Sequence, residues 1–165
     1  MGKNQLIPLS NDSTIQQLNN STVQQFNSST IKQFNNNIIS LRAAGKGIFV
    51  DGSMQLAALV DGELVGCIDL YNYDPIHRRA EVGIGVERSC RRKGFATAML
   101  LELDKLCSHQ LHLHQLYCDV VASNTVSCHL FERCGYRQIG VMQEWVVVND
   151  EYRDVLRFQK ILNSD

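Results

Sequence analysis

The segment Arg91-Arg92-Lys93-Gly94-Phe95-Ala96 concentrates three cations and a glycine at a change of periodicity. The residues before it, 80–86, read as an apolar β-like stretch. From 94 to 106 apolar residues recur at 95, 96, 99, 100, 103 and 106, a helical rhythm. A strand that ends in a basic, glycine-containing turn and opens a helix can bind phosphate, because free N–H groups and the positive end of the helix dipole face the anion. Gly94 lets backbone approach such a ligand without a Cβ, and Ala96 keeps the helix start close to it. A solvated basic turn is the alternative reading, and the segment alone leaves both open. Neither GxxxxGK[ST] nor a GxGxxG after a strand occurs, so the common nucleotide loops are excluded. A second cluster, Cys107, His109, His112, His114 and Cys118, carries metal-ligand types, but its spacing matches no compact zinc pattern. It reads as a polar helix-to-strand connection, and no metal site is assigned.

The chain that must position these residues has 165 amino acids, 44% hydrophobic and 20% charged, enough for one domain with a packed core. With 16 basic and 17 acidic residues the formal charge is -1, which offers no bulk attraction to nucleic acid or to an anionic membrane. No apolar run reaches the length of a transmembrane helix, and the first residues lack the apolar core of a signal peptide. Six cysteines without a CxxC pair fit reduced, buried thiols in a cytoplasmic protein.

Two compositional regions meet near residue 37. Residues 1–37 hold an Asn/Gln/Ser/Thr repeat of eight residues: STIQQLNN from Ser13, STVQQFNS from Ser21 and STIKQFNN from Ser29. Ser13…Gln16 and Ser21…Gln24 have the form of capping boxes, so short helices restarting at each Ser-Thr are expected, with a low-complexity tail as the alternative. Residues 38–165 alternate between strand and helix patterns. Asp61-Gly62 between apolar runs 55–60 and 64–70 predicts a hairpin. Strands follow at 80–86 and 116–121, helices at 94–106 and 125–134, the second closed by Gly135. Two last strands, 137–148 and 152–161, turn at Asn149-Asp150. The fold class is α/β (α+β), one mixed sheet with helices packed on it.

Arg91–Ala96 resembles the [Q/R]xxGx[G/A] pyrophosphate loop of the GCN5-related N-acetyltransferase (GNAT) superfamily. Asn124-Thr-Val-Ser-Cys-His-Leu-Phe131-Glu-Arg-Cys-Gly135-Tyr136 resembles that family's later NxxAxxxYxxxGF signature, in the right order and spacing. His77-Arg78-Arg79-Ala80-Glu81 and Asn149-Asp-Glu-Tyr152-Arg153-Asp154 resemble the branch acting on spermidine and ribosomal proteins. The similarity covers roughly residues 55–162. It implies a mixed, mostly antiparallel sheet, splayed between the family's fourth and fifth strands around acetyl-CoA, with helices on both faces.

Carried onto this sequence, the resemblance implies that the backbone of Ile84, Gly85 and Val86 holds the pantetheine arm and polarises the thioester carbonyl. Arg91, Arg92, Lys93, Gly94, Phe95 and Ala96 would wrap the pyrophosphate, and Asn124 would hold the arm from the second helix. The acceptor would be a small primary amine, a polyamine among them, or a peptide N-terminus, attacking acetyl-CoA directly. A homo-oligomer is compatible with this. The attacking amine must lose a proton, for which Glu81 is the candidate base; a salt bridge to Arg78 or Arg79 is its alternative role. The family's proton-donating tyrosine is replaced by Phe131, which faces the same cofactor site but cannot donate. Cys128, one helical turn earlier, is a minor candidate for that task, and restoring a hydroxyl at 131 would raise turnover if proton delivery were what is missing. In the family a first strand and two helices precede this region; residues 5–9 would be that strand, and the repeat with 38–44 would supply the helices. Glu144, Asp150, Glu151 and Asp154 could attract a cationic amine. A catalytically weak acyl-CoA-binding or interaction protein is the second function class.

Overall fold

The computed structural model describes residues 29–34, 37–44 and 52–162. Eight strands form one sheet: β1 (Ser29–Phe34), β2 (Asn37–Ala44), β3 (Met54–Val60), β4 (Glu63–Asp74), β5 (Arg79–Val86), β6 (Gln115–Val121), β7 (Arg137–Val148) and β8 (Glu151–Ile161). Their order is β1-β2-β3-β4-β5-β6-β8-β7, and every neighbouring pair is antiparallel except β5 and β6. The crossover between those two parallel strands contains helix α1 (Phe95–Lys105), and helix α2 (Thr125–Arg133) links β6 to β7.

Local signals explain most of these elements. Asp61 and Gly62 have φ of 51° and 88°, and Asn149 and Asp150 have 52° and 61°. Both pairs thus adopt the doubly positive geometry that matches the twist of a two-residue hairpin. Helix α2 ends with Tyr136 N–H bonded to Phe131 O and Gly135 N–H to Glu132 O, both at 3.0 Å, the Schellman pattern. Leu106–Gln110 continues α1 as a π-helical turn and leads to β6. The Cys/His-rich segment is therefore the expected helix-to-strand connection, with Cys107 and Cys118 buried in the core.

The amino-terminal expectations are corrected. The third repeat unit forms strand β1, and residues 38–44 lie in β2; neither is helical. Ile31 opposes Ser40 and Thr30 opposes Leu41, so these residues spend their backbone bonds on a neighbouring strand. Six residues are too few to sustain a helix without strong tertiary support, whereas β-branched Thr30 and Ile31 suit a strand. The first two repeat units and residues 5–9 lie outside the described residues.

Strand alternation sorts the central sheet into two faces. Leu56, Ala58, Val60, Ile68, Leu70, Val82, Ile84, Leu116, Cys118, Val120 and Phe158 join Met99, Leu100 and Leu103 of α1 and Phe131 of α2 in one core cluster. Phe131 meets Tyr136 edge-on at 5.1 Å and stacks on Phe158 at 6.5 Å. At Gly66 an added Cβ would lie 2.3 Å from the carbonyl oxygen of Gly85, so only glycine allows β4 and β5 this approach. Among the described residues no helix is long and apolar enough to cross a membrane.

Candidate active site

Strands β5 and β6 share only three rungs, Arg79–Gln115, Ala80–Leu116 and Glu81–Tyr117. β5 continues to Val86 and β6 to Val121 without further pairing, so the sheet opens into a wedge beyond Glu81. Glu87 N–H donates to Val65 O at 2.8 Å, which sets the phase of the β4–β5 ladder. By its alternation, Gly83 and Gly85 direct their backbone groups to β4, while Val82, Ile84 and Val86 direct theirs into the wedge. Arg91 Nε caps the Val86 carbonyl at 3.0 Å and folds the following turn back onto the strand.

That turn runs through Arg92 at φ 61° and Gly94 at φ 84° before α1 begins. No side chain caps α1 and its first turn has no acidic residue. The first turn closes with Ala98 N–H to Gly94 O at 3.2 Å, so the amide ends of α1 point back toward the basic turn. Arg92 and Lys93 are exposed beside them. An anion fits here, because donors and positive charge converge without a competing carboxylate.

The opposite face of the sheet, turned away from the core cluster, carries the titratable groups. Glu81 accepts a 2.7 Å bond from Asn72 Nδ2. Asn72 stands at φ 46° within a bulge of β4, which turns its amide toward β5. Burial raises the Glu81 pKa, with Asn72 opposing that effect, Asp119 adding to it, and Arg157 and the Tyr117 hydroxyl also opposing it. Neither arginine considered for Glu81 reaches it: Arg79 pairs with Asp74 at 3.3 Å and Arg78 Nε donates to His112 O at 2.7 Å. Asp69, raised by burial, accepts from Gln55 at 2.7 Å and opposes Gly83, over which the Tyr71 ring lies, its Cε2 3.0 Å from where a Cβ would stand. Arg157 clasps Asp119 with bonds of 2.8 and 2.6 Å and lies 5.3 Å from the Tyr117 ring centroid.

The residues of the second signature have structural partners. Asn124 Oδ1 caps α2 by accepting from Ser127 N–H at 3.2 Å. Phe131 is 0% exposed. Cys128 is buried on the same helix, and burial followed by the Glu132 charge raises its thiol pKa. Two of the four hairpin acids are held internally: Asp154 accepts from Glu144 N–H at 2.8 Å, and Glu151 pairs with Arg153. Among the described residues no three His, Cys, Asp or Glu side chains converge to hold a metal ion. Sequence reasoning missed Asn72, Asp69 and Tyr117. Asp69 had a visible signal, an acid inside the apolar run Gly66-Cys67-Ile68-Asp69-Leu70; Asn72 needed the bulge.

Known proteins share this arrangement. A spermidine N(1)-acetyltransferase of Vibrio cholerae is 33% identical over 94 residues, covering 57% of this chain and 54% of that protein. The chain thus spans about half the length of this curated relative. An L-amino acid N-acetyltransferase of Escherichia coli is 25% identical over 112 residues, 67% of this chain and 69% of its own. The crystal structure of the Vibrio cholerae spermidine N-acetyltransferase in complex with CoA and spermine superposes with a TM-score of 0.65 at 27% identity, covering 68% of this chain and 67% of that one. The model of the acetyltransferase (GNAT) family matches residues 15–136, and the chain belongs to that family.

Proposed function

We propose that this protein transfers an acetyl group from acetyl-CoA to a small primary amine by direct attack. The observation that carries the reading is the wedge: an unpaired β5 edge at Ile84 and Val86 runs straight into an uncapped, cation-flanked helix start at Gly94. The donor would lie along that edge, with the Ile84 backbone groups and the Val86 N–H on its pantetheine arm and the turn from Arg92 to the start of α1 on its pyrophosphate. Asn124 holds the arm from the start of α2. Holding two reactants in this geometry supplies much of the rate, since well-oriented reactions gain roughly 7–11 kcal/mol. Glu81 takes the proton of the attacking amine. Its burial suits that role, because a carboxylate with raised pKa is a stronger base. Asp69 and Glu81 favour a cationic acceptor, so polyamines lead the acceptor series, ahead of amino acids and peptide N-termini.

The buried Phe131 ring, which has no hydroxyl to offer, favours a second reading: a protein that binds acyl-CoA but turns it over weakly. Incubation with acetyl-CoA and a panel of spermidine, a diamine, a free amino acid and a peptide separates the two. Amine-dependent release of thiol is expected, fastest with spermidine. Coenzyme A binding without thiol release from any acceptor would establish the second reading.

A further inference from the structure

We propose that Tyr117 donates the proton that the departing coenzyme A thiolate requires, in the place left vacant by Phe131; the proposal rests on the acetyl-transfer reading. Glu81 and Tyr117 form the last rung before β5 and β6 separate, so both side chains stand at the vertex of the wedge on the polar face. Two other phenols lie near the seam, and neither stands on β6 as the paired neighbour of Glu81 at the vertex. Tyr136 is buried in the core, its hydroxyl lies without a hydrogen-bond partner, and its charged neighbours are Asp104 and Lys160. Tyr71 opposes Glu81 from β4 and its ring lies over Gly83, but its hydroxyl is bonded to the Asp69 carboxylate, which holds it on the β4 side. Tyr117 faces Glu81 and Arg79 from β5, Asn72 from β4, Asp119 on its own strand and Arg157 from β8. Burial and the Glu81 charge keep its phenol protonated at neutral pH, which an acid must be before the reaction.

The step balances without a further reactant. The amine nitrogen forms its bond to the acetyl carbon and gives its proton to Glu81; the carbon–sulfur bond breaks as the Tyr117 proton passes to sulfur. The proton on Glu81 then returns to the Tyr117 oxygen beside it. The net change is amine plus acetyl-CoA to amide plus coenzyme A.

Tyr117→Phe removes one oxygen and keeps the ring under Arg157. With the acceptor that wild type turns over, kcat on acetyl-CoA is expected to fall about 100-fold, the lower end of general-acid assistance, with the KM for acetyl-CoA and the calorimetric affinity for coenzyme A unchanged. The acetyl thioester of 4-nitrothiophenol, whose thiolate leaves unprotonated, should react with both proteins at the same kcat/KM. Tyr71→Phe should match wild type on both donors. A kcat within twofold of wild type on acetyl-CoA overturns the assignment. So does an equal loss on both donors, because that reports a misplaced Glu81; the acidic limb of Tyr117→Phe should itself move upward, since the lost hydroxyl opposed the rise in the Glu81 pKa. An inactive wild type, by contrast, refutes acetyl transfer itself.

Discussion

At its closed end the β5–β6 seam is satisfied on every side; at its open end it is not. Around Ala80 and Glu81 the backbone pairs with β6, Glu81 has Asn72, and Phe158 and Phe131 fill the core beneath Cys118. Five residues further along β5, Val86 keeps its β4 partner Gly66 but has none on β6, and beyond it no side chain caps the helix start. Unmade hydrogen bonds are costly when buried. A fold that parts two strands beside a glycine at φ 84° has built a place for a ligand, whereas one that keeps them paired has built a joint. Substitutions at the two ends should therefore fail differently: at the open end binding is lost and the fold survives, at the closed end the reverse.

The largest effect is expected from Gly94→Glu at the open end. A side chain there enters the phosphate approach, and its carboxylate opposes the anion at the helix start. Acetyl-CoA affinity should drop about 100-fold, close to 2.8 kcal/mol. The left-handed backbone adds a cost of about 1–2 kcal/mol to stability, which thermal melting will read separately. Calorimetry that finds unchanged affinity in a folded protein would remove the phosphate-loop assignment.

At the closed end the informative change is Phe131→Tyr. A wedge-facing hydroxyl would have raised turnover, but a ring that is 0% exposed and enclosed by Tyr136 and Phe158 reverses that expectation. The new oxygen would be buried without a partner, at a cost of about 1–3 kcal/mol. Urea unfolding should show that loss with coenzyme A affinity retained. A turnover number above wild type would return the acid to position 131 and displace Tyr117.

Legibility followed the range of the interactions that decide each element. The hairpins at Asp61-Gly62 and Asn149-Asp150, the Gly135 helix stop and the basic turn at 91–96 are set by neighbours in the chain, and the sequence showed them within a residue or two. β1 was misread because the Ser-Thr repeat suggests restarting helices, and β2 because the family resemblance asks for helices there, while their state is decided by pairing with each other and with β3. Strand preference depends on such context far more than helix preference does. The Glu81 environment was half legible. Its position before the wedge came from the motif, but Asn72 arrives through a bulge and Tyr117 through a parallel rung 36 positions away, and neither leaves a local pattern.

The smallest effect tests how much the turn leading into the closed end contributes. Asp74 accepts His77 N–H at 2.9 Å and His77 Nδ1 at 2.7 Å, and Arg79 lies 3.3 Å away. The backbone donor first, then the His77 ring, lowers its carboxyl pKa from 3.8 to about 2. Because the folded state prefers the ionised form, this group stabilises the fold above its unfolded pKa of 3.8, and the contribution fades as pH falls through about 2. Solvent screens these exposed partners, so the stabilisation is slight. Asp74→Asn should lower the urea midpoint a little at pH 6, with the gap to wild type narrowing steadily from pH 4 toward pH 2. A gap that stays constant over that range would show that Asp74 acts as a neutral turn former, and that the entry to β5 owes nothing to its charge.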